Sequence, residues 1–339
     1  MKVSVVIPSH NRYGQLKNTI EALRKQNYDN YEVMIVDDAS EDATWTINLP
    51  DHFSMIRNDK KLGLAETRNK GIANTTGELI IFLDAEMLVY PDYILNHVKR
   101  HGKSDNLVLT GSMYYYFLSK SAQKKIVDQN IGLLSEEYRK LIRFKDYYYS
   151  NIIVHYGDDL YKLRIPWIAC MGGNLSVKRT LLNHSGWFDP SFIGYGWEDW
   201  ELGYRLHQCG ATFKVDHAVA TIHQEHPVNR KRIQESLENY RYFMTKYPSI
   251  EVYAVSLELI DEQLTIKDIN EFLNEYDQLD QENLRLACKE IIEYSACCIT
   301  GEVPKYFIQN YAIDTKHFQN GLLKEVCEML IGKYKLIKD

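Results

Sequence analysis

The sequence has no hydrophobic run long enough to cross a membrane. Its N-terminus reaches polar residues after one short apolar segment, and the later run Leu79–Leu83 has the length of a single strand. We therefore expect neither a signal peptide nor a spanning helix. The expected location is the cytoplasm, and peripheral attachment to the inner face of a membrane is compatible with this pattern.

Paired cysteines and an excess of positive charge are also missing. The 6 cysteines are scattered without a C-x-x-C pair, so the chain has neither a zinc framework nor the disulfide pattern of a small secreted domain. There are 40 Lys and Arg residues against 46 Asp and Glu residues, a formal net charge of -6. This balance excludes a protein built to coat nucleic acid, and we expect no nucleic-acid partner.

Two common nucleotide-binding motifs are absent. The residues after the first expected strand, 8–12, do not form the G-x-G-x-x-G turn of dinucleotide-binding oxidoreductases. The motif G-x-x-x-x-G-K-[ST] of P-loop enzymes does not occur. A nucleotide site in this chain must therefore be built in another way.

The first 110 residues alternate short apolar runs with amphipathic segments. This alternation is typical of an α/β fold, in which helices cover a sheet. We expect strands near residues 3–7, 32–36, 53–57, 79–83 and 107–111. We expect helices near residues 14–25, 64–73 and 94–100.

The chain changes character twice after this region. Residues 113–164 are rich in Tyr and Lys without a strict period, which indicates an insertion of helices and loops over the sheet edge. Beyond Arg232 the apolar residues take helical spacing. We therefore expect residues 1–112 and 113–232 to form two halves of one α/β domain, and residues 233–339 to form a helical C-terminal domain.

Acidic residues follow two of the expected strands. Asp37 follows the second, and Asp84 and Glu86 follow the strand at 79–83. Ligands bind at the carboxyl edge of open α/β sheets, and alternate residues of an extended segment point the same way. Asp84 and Glu86 can therefore face one site, where two carboxylates suit Mg²⁺ or Mn²⁺. An acidic turn that only caps the next segment remains the alternative.

A second acidic pair opens an expected helix. Glu198 and Asp199 precede leucines at helical spacing, and Trp197 and Trp200 flank the pair. Acids in a first turn are favoured by the helix dipole, so a purely structural role is one interpretation. The aromatic setting favours the other interpretation, in which one acid is a general base.

Two histidines lie close together further along the chain. Imidazole is a good ligand for Mn²⁺ and similar ions, so His223 is a candidate ligand. His226, which precedes Pro227, is the less favoured of the two.

Several of these segments occur in the order and spacing of one enzyme family. They are Pro8, 37–40, 64–71, 82–86, 172–174, 197–206 and 222–225. Through them the chain resembles the family 2 inverting glycosyltransferases of the GT-A fold, over roughly residues 1–230. The second half is similar to bacterial chondroitin polymerases and polypeptide N-acetylgalactosaminyltransferases. The resemblance implies a nucleotide-diphospho-sugar transferase fold, a Rossmann-like mixed sheet with helices on both faces.

The resemblance also implies roles in binding the donor. Asp37 would recognise the uracil ring, and Arg68 would reach the nucleotide. Gly172 and Gly173 would let the backbone approach the donor sugar. The remaining residues assigned to the nucleotide and donor are Pro8, Asp84 and Asn174.

For the chemical step, the resemblance implies that Asp199 is the base that activates the acceptor. Glu198 and Trp197 would lie near the acceptor. The expected metal ligands are Asp84, Glu86 and His223, with Glu86 as the direct carboxylate ligand in place of the more usual Asp.

The expected function is metal-dependent, inverting transfer of a hexosyl or N-acetylhexosaminyl group from a UDP-sugar, with Mn²⁺ or Mg²⁺ as cofactor. The acceptor would be a glycan, a lipid-linked glycan or a peptide, as in bacterial polysaccharide biosynthesis. The C-terminal helices would serve acceptor binding, a partner or a homo-oligomer. The alternative is a catalytically silent protein of the same fold that binds sugar nucleotides or glycans.

Overall fold

The computed structural model describes most of the chain, which folds into two compact units. One unit comprises Met1–Tyr161 with Pro166–Arg230, and the other comprises Lys162–Ile165 with Lys231–Asp339. The described residues are 1–116, 144–146, 152, 154–157, 160–224, 226, 231–301, 318, 321–334 and 336. Most of the Tyr- and Lys-rich insertion expected at 113–164 lies outside the described residues.

Within the described part of the first unit, nine strands form one mixed sheet in the order β3-β2-β1-β4-β8-β6-β9-β5, with β7 paired to β6. The strands in chain order are Val3–Ser9 (β1), Tyr31–Asp37 (β2), Phe53–Arg57 (β3), Leu79–Leu83 (β4), Met87–Val89 (β5), Leu107–Tyr116 (β6), Phe144–Asp146 (β7), Asn174–Lys178 (β8) and Thr212–His223 (β9). The first four strands are parallel. Strand β8 runs antiparallel to both β4 and β6. The expected mixed α/β fold is confirmed.

The helices of this unit follow the strands. They are Tyr13–Leu23 (α1), Leu64–Ala73 (α2), Tyr93–His101 (α3), the single turn Val154–Tyr156 (α4), Arg179–Ser185 (α5) and Glu198–Gln208 (α6). Strands β1 and β4 are buried along their whole length, which explains why both are almost continuously apolar. Their carboxyl ends, with that of β2, form the edge at which the acidic residues emerge.

The second unit is helical, as expected. Its helices are Arg232–Lys246 (α7), Ile250–Ala254 (α8), Leu257–Ile260 (α9), Ile266–Asp277 (α10), Glu282–Thr300 (α11) and Leu322–Tyr334 (α12). Helix α10 begins with a capping box, in which Thr265 and Asp268 satisfy each other's backbone N–H groups. Its Ile269, Phe272 and Leu273 lie in the core of the unit. Across both units, none of the described helices has the length and apolar character needed to cross a membrane.

Two histidines of helix α3 are buried in the first unit. His97 and His101 are one turn apart on α3 and both are fully buried. The Ser176 hydroxyl lies 2.8 Å from His97 Nδ1 and 2.7 Å from His101 Nε2. Among the described residues, the other nitrogen of each ring has no hydrogen-bond partner. Burial lowers the pKa of His97, and burial together with the charge of Lys178 lowers the pKa of His101 to about 4.

We expect the free energy of unfolding to fall with acid because of this pair. Each histidine has a lower pKa in the folded chain than its usual value near 6.5, so the unfolded chain takes up more protons below that pH. The contribution of the two neutral histidines to the free energy of unfolding is complete above about pH 7 and is lost as the pH falls toward about 4. For His101 the loss is about 2 kcal/mol between pH 7 and pH 5.

Urea unfolding at pH 7 and pH 5 checks this expectation. The His101→Gln variant should lose less stability between the two pH values than the wild type. His184→Gln removes a histidine outside the core and should behave as the wild type does. Equal losses in the wild type and in His101→Gln would show that His101 does not contribute.

Candidate active site

Two adjacent acids lie where strand β2 ends, and the structure gives them different surroundings. The carboxylate of Asp38 accepts hydrogen bonds from the backbone N–H groups of Leu62 and Gly63, at 2.7 and 3.0 Å, and from the Asn58 side chain at 2.8 Å. Asp38 therefore fastens the loop that precedes α2. It has little capacity left for a ligand.

Asp37 is fully buried, and its carboxylate keeps more capacity to accept hydrogen bonds than that of Asp38. Its Oδ1 accepts a hydrogen bond from the Ser40 N–H at 3.2 Å, and its Oδ2 lies 3.4 Å from Nε of Arg57. Among the described residues, Oδ2 has no hydrogen-bond partner of good geometry. Asp37 is therefore the acid of this pair that can accept a further hydrogen bond. Pro8, in β1, is paired with Val36 in the sheet and is buried.

Arg68 is the centre of a buried charge cluster. This α2 residue is 2% exposed, and its guanidinium donates to Glu198 Oε1 at 2.8 Å and to Asp84 Oδ1 at 3.1 Å. It also lies over the ring of Phe188, 5.2 Å from the centroid. Burial lowers the pKa of Arg68, but the carboxylates of Asp84, Glu198 and Asp199 raise it by more, so Arg68 stays charged. It binds these acids of its own chain, and its contact with a nucleotide stays a prediction.

The two glycines before β8 are required by this packing. A Cβ on Gly172 would come within 2.7 Å of the Arg68 guanidinium, and a Cβ on Gly173 would come within 2.8 Å of an Asp84 oxygen. A side chain at either position would displace the cluster. That these glycines let the backbone approach a donor sugar remains a prediction.

Asn174, the next residue, is fully buried. Its amide nitrogen donates to the carbonyl of Val219 at 2.9 Å and to the Thr221 hydroxyl at 3.2 Å. Its oxygen accepts from the Tyr93 hydroxyl at 2.8 Å. The side chain is thus used inside the fold, and the contact of Asn174 with the donor stays a prediction.

Asp199 lies in the first turn of α6 beside this cluster. Its Oδ2 accepts a hydrogen bond from the Gly172 N–H at 3.0 Å, and its Oδ1 accepts one from the Trp200 N–H at 2.9 Å. Burial, and next the negative charge of Glu198, raise the pKa of Asp199 to about 7, against the opposing effects of these hydrogen bonds and of Arg68. The sequence left the direction of this shift open, and burial decides it.

The residue before this turn, Trp197, has an unusual backbone. It adopts the left-handed region with φ of 75°, which a residue with a bulky side chain rarely does. Its indole is largely buried and packs edge-on against Trp200, with ring centroids 5.1 Å apart. Trp197 is therefore not the exposed aromatic residue of this region. In the loop before α6 that residue is Tyr195, which is 41% exposed.

A second cluster lies where β5 pairs with β9. Met87 is opposite His223 in that pairing, which brings Glu86 beside the end of β9. Glu86 Oε1 is 2.9 Å from His226 Nε2 and 3.8 Å from His223 Nε2. One ligand atom from each of these three residues lies within 4.8 Å of the others. This is a possible cation site.

The ligand atoms of Glu86, His223 and His226 indicate which ion fits this site. One carboxylate with two imidazoles suits Mn²⁺ better than Mg²⁺, which takes oxygen ligands. Burial raises the pKa of Glu86, but the hydrogen bond from His226 and the charge of Arg12 lower it overall, so Glu86 is ionised and ready to bind. Asp84 is paired with Arg68 instead, and its role as a metal ligand stays a prediction.

Sequence reasoning underrated two residues of this cluster. His226 was the less favoured ligand, yet its ring lies closer to Glu86 than that of His223. The H-x-x-H spacing was the signal that could have identified it. Arg12, which was not considered, lies 3.5 Å from Glu86 Oε2 and has no comparable sequence signal.

Comparisons with known proteins agree with this architecture. The family described as "Glycosyl transferase family 2" matches residues 4–159, and "N-terminal domain of galactosyltransferase" matches residues 153–228. The chain is 31% identical over 289 residues to an uncharacterized glycosyltransferase, YfnE, of Bacillus subtilis, covering 76% of this chain and 73% of that protein. It is 27% identical to chondroitin synthase of Escherichia coli over 66% of this chain, but spans only 35% of that enzyme.

Solved structures share the fold at low identity. S. aureus TarS in complex with UDP-GlcNAc has a TM-score of 0.55 at 15% identity, covering 99% of this chain and 92% of that one. GalNAc-T7 with UDP, GalNAc and Mn²⁺ has a TM-score of 0.51 at 17% identity, covering 94% of this chain and 58% of that one. The sheet and these likenesses define a glycosyltransferase of the GT-A fold. Within that class, the chain belongs to glycosyl transferase family 2.

Proposed function

We propose that this glycosyltransferase moves a sugar from a UDP-sugar to a hydroxyl of a glycan, lipid-linked glycan or peptide acceptor, with inversion and with a divalent cation. The observation that carries the proposal is the state of Asp199. A carboxylate with a pKa of about 7 is suited to take a proton at neutral pH. An acid that merely capped its helix would keep a low pKa.

The chain's own residues divide the work as follows. Asp37 accepts a hydrogen bond from the uracil ring through its available oxygen. Asp199 takes the proton from the attacking acceptor hydroxyl, because each of its oxygens keeps a lone pair beyond the hydrogen bonds it accepts. Arg68 holds Asp84 and Glu198 in place. One base and a direct displacement invert the anomeric centre.

The cation site is proposed at Glu86, His223 and His226, with Asp84 as a further candidate ligand. A cation bound there would neutralise charge on the departing diphosphate. Support for a uridine nucleotide comes from solved neighbours, since TarS and GalNAc-T7 were determined with UDP-GlcNAc or UDP. The class of acceptor is left open, because the relatives include proteins as different as chondroitin synthase and validoxylamine A glucosyltransferase.

We expect UDP binding to depend on the cation. Calorimetric titration of UDP with Mn²⁺ should give an affinity at least about tenfold tighter than titration in EDTA, since without a cation no positive charge would lie between the diphosphate and the carboxylate of Glu86. Glu86→Gln should remove most of this difference. Glu21→Gln, a matched change on the exposed face of α1, should retain it. Equal UDP affinity with Mn²⁺ and with EDTA would overturn the metal role.

We propose that the helical unit serves acceptor binding or assembly and not the chemical step. All the candidate donor residues lie in the first unit. A chain ending at residue 232 should therefore bind UDP with the affinity of the full chain. Loss of UDP binding in a truncated chain whose circular dichroism shows it folded would contradict this division.

A further inference from the structure

We propose that Phe188 is a positioning residue for the active site, whose buried ring holds the guanidinium of Arg68 in the orientation that pairs it with Glu198. Phe188 lies in the loop between α5 and α6 and acts through Arg68 rather than on a substrate. The inference deepens the proposed function and rests on Asp199, the neighbour of Glu198, as its base.

The backbone that leads to Phe188 is held by Arg205 of α6. Nη1 and Nη2 of Arg205 donate hydrogen bonds to the three carbonyl groups of residues 185–187, at 2.7 to 2.8 Å. Its Nε and Nη2 also donate to the two carboxylate oxygens of the fully buried Glu201, at 2.9 and 2.8 Å. These bonds use all five N–H groups of the guanidinium. The segment cannot shift without breaking several hydrogen bonds to a charged group.

Phe188 itself is held by Asn69, which follows Arg68 on α2. The side-chain nitrogen of Asn69 donates to the Phe188 carbonyl at 2.8 Å, and its side-chain oxygen accepts from the Phe188 N–H at 3.1 Å. Both backbone groups of Phe188 are therefore tied to the helix that carries Arg68.

The ring of Phe188 is fixed as well. It is 2% exposed and packs edge-on against Phe82 of β4, with ring centroids 5.0 Å apart. The Cζ atom of Arg68 lies over this ring, 5.2 Å from its centroid. A cation over an aromatic face at this distance is attracted by the ring, and more strongly when water is excluded.

Arg68 has few other contacts that fix its orientation. Its Nη1 and Nη2 donate to Glu198 and Asp84, and within the described parts of the chain its Nε has no hydrogen-bond partner. The Phe188 ring therefore supplies a third contact to the guanidinium. The orientation matters for the chemical step, because the charge of Arg68 opposes the rise in the pKa of Asp199.

The first test follows the guanidinium by NMR, without a substrate. In the full wild-type chain the Nη signals of Arg68, assigned by comparison with Arg68→Lys, should be resolved, because a held guanidinium turns slowly. In Phe188→Leu they should merge into one averaged signal. Phe53→Leu removes another buried ring, at the amino end of β3, and should keep the Arg68 signals resolved. Resolved signals in Phe188→Leu would overturn the inference.

The second test changes the charge distribution of the ring and keeps its shape. A 3,4,5-trifluorophenylalanine at position 188 has less negative charge on the ring face, so it attracts a cation less. It should release UDP roughly threefold more slowly than the wild type, and Phe188→Leu roughly tenfold more slowly, with Mn²⁺ and the UDP-sugar that the wild type hydrolyses fastest. A ring that only filled space would leave the rate of the fluorinated variant unchanged, and that result would contradict the inference.

The outcomes separate this inference from the proposed function. If the Arg68 signals merge in Phe188→Leu while Asp199→Asn releases UDP as fast as the wild type, the role of Phe188 stands and the proposed base is wrong. If the Arg68 signals stay resolved in Phe188→Leu while Asp199→Asn is slow, the role of Phe188 is wrong and the base stands.

Discussion

The Asp199→Asn variant should transfer sugar roughly 10²- to 10⁴-fold more slowly than the wild type, the usual range for loss of a general base. Asparagine keeps the size of the side chain but cannot take a proton. The oxygen of the new amide can still accept one of the two backbone hydrogen bonds, so the start of α6 should stay folded. UDP affinity should barely change, because the proposed nucleotide contacts lie elsewhere.

The pH dependence of this step gives an independent check. In the wild type, kcat/KM should rise with pH through about 7, because only the ionised form of Asp199 accepts a proton. Asp199→Asn should lose this rise. In Glu198→Gln the rise should move to lower pH, since the negative charge of Glu198 helps to raise the pKa of Asp199.

Two results would revise the assignment of the base. If Asp199→Asn transferred normally and Glu198→Gln were inactive, the roles of the two acids would be exchanged. If both variants stayed active, the base would lie elsewhere.

The Arg68→Met variant should have the largest effect on stability. Arg68 is buried between Asp84 and Glu198, so its removal leaves the buried Glu198 carboxylate and the partly exposed Asp84 carboxylate without their counter-charge. Removing one partner of a buried ion pair costs about 3 to 5 kcal/mol of the free energy of unfolding. Arg68→Lys should cost less, because it keeps the charge but loses the two-pronged hydrogen bonding.

Urea unfolding of the wild type, Arg68→Met and Arg68→Lys at pH 7 and pH 5 measures this effect. Burial raises the pKa of Asp84 and the charge of Arg68 opposes this, so in Arg68→Met the pKa of Asp84 rises further in the folded chain and acid should stabilise this variant relative to the wild type. The deficit should therefore be smaller at pH 5 than at pH 7. A deficit below about 1 kcal/mol at pH 7 would show that the cluster does not need its arginine.

The sequence predicted those parts of the fold that are encoded locally. The parallel strands and helices up to residue 101 agree with the expected ones to within two residues at nearly every end, because each is an apolar run or an amphipathic stripe. Strands β5, β7, β8 and β9 were not expected. Strands β5 and β7 have three residues each, and β8 and β9 are held by pairing with strands distant in the chain, which no local pattern encodes.

The candidate site also has parts that the sequence predicts and parts that it does not. Asp37, Glu86 and Asp199 could be singled out because strand ends and helix starts place acids predictably. The contacts that set their properties could not be predicted, since Arg68 and Glu198 are 130 residues apart and Arg12 and His226 are 214 apart. The pKa of Asp199 depends on burial and on Gly172, neither of which a helix start reveals.

The most direct test of the account follows the wild-type chain by ¹H NMR with α-linked UDP-sugars, Mn²⁺ and water as the default acceptor. We expect UDP to accumulate and the β-anomer of the free sugar to appear first, before mutarotation. This release should stop in EDTA and in Asp199→Asn. Early appearance of the α-anomer, or release that is as fast in EDTA or in Asp199→Asn as in the wild type with Mn²⁺, would contradict cation-dependent inversion with Asp199 as the base.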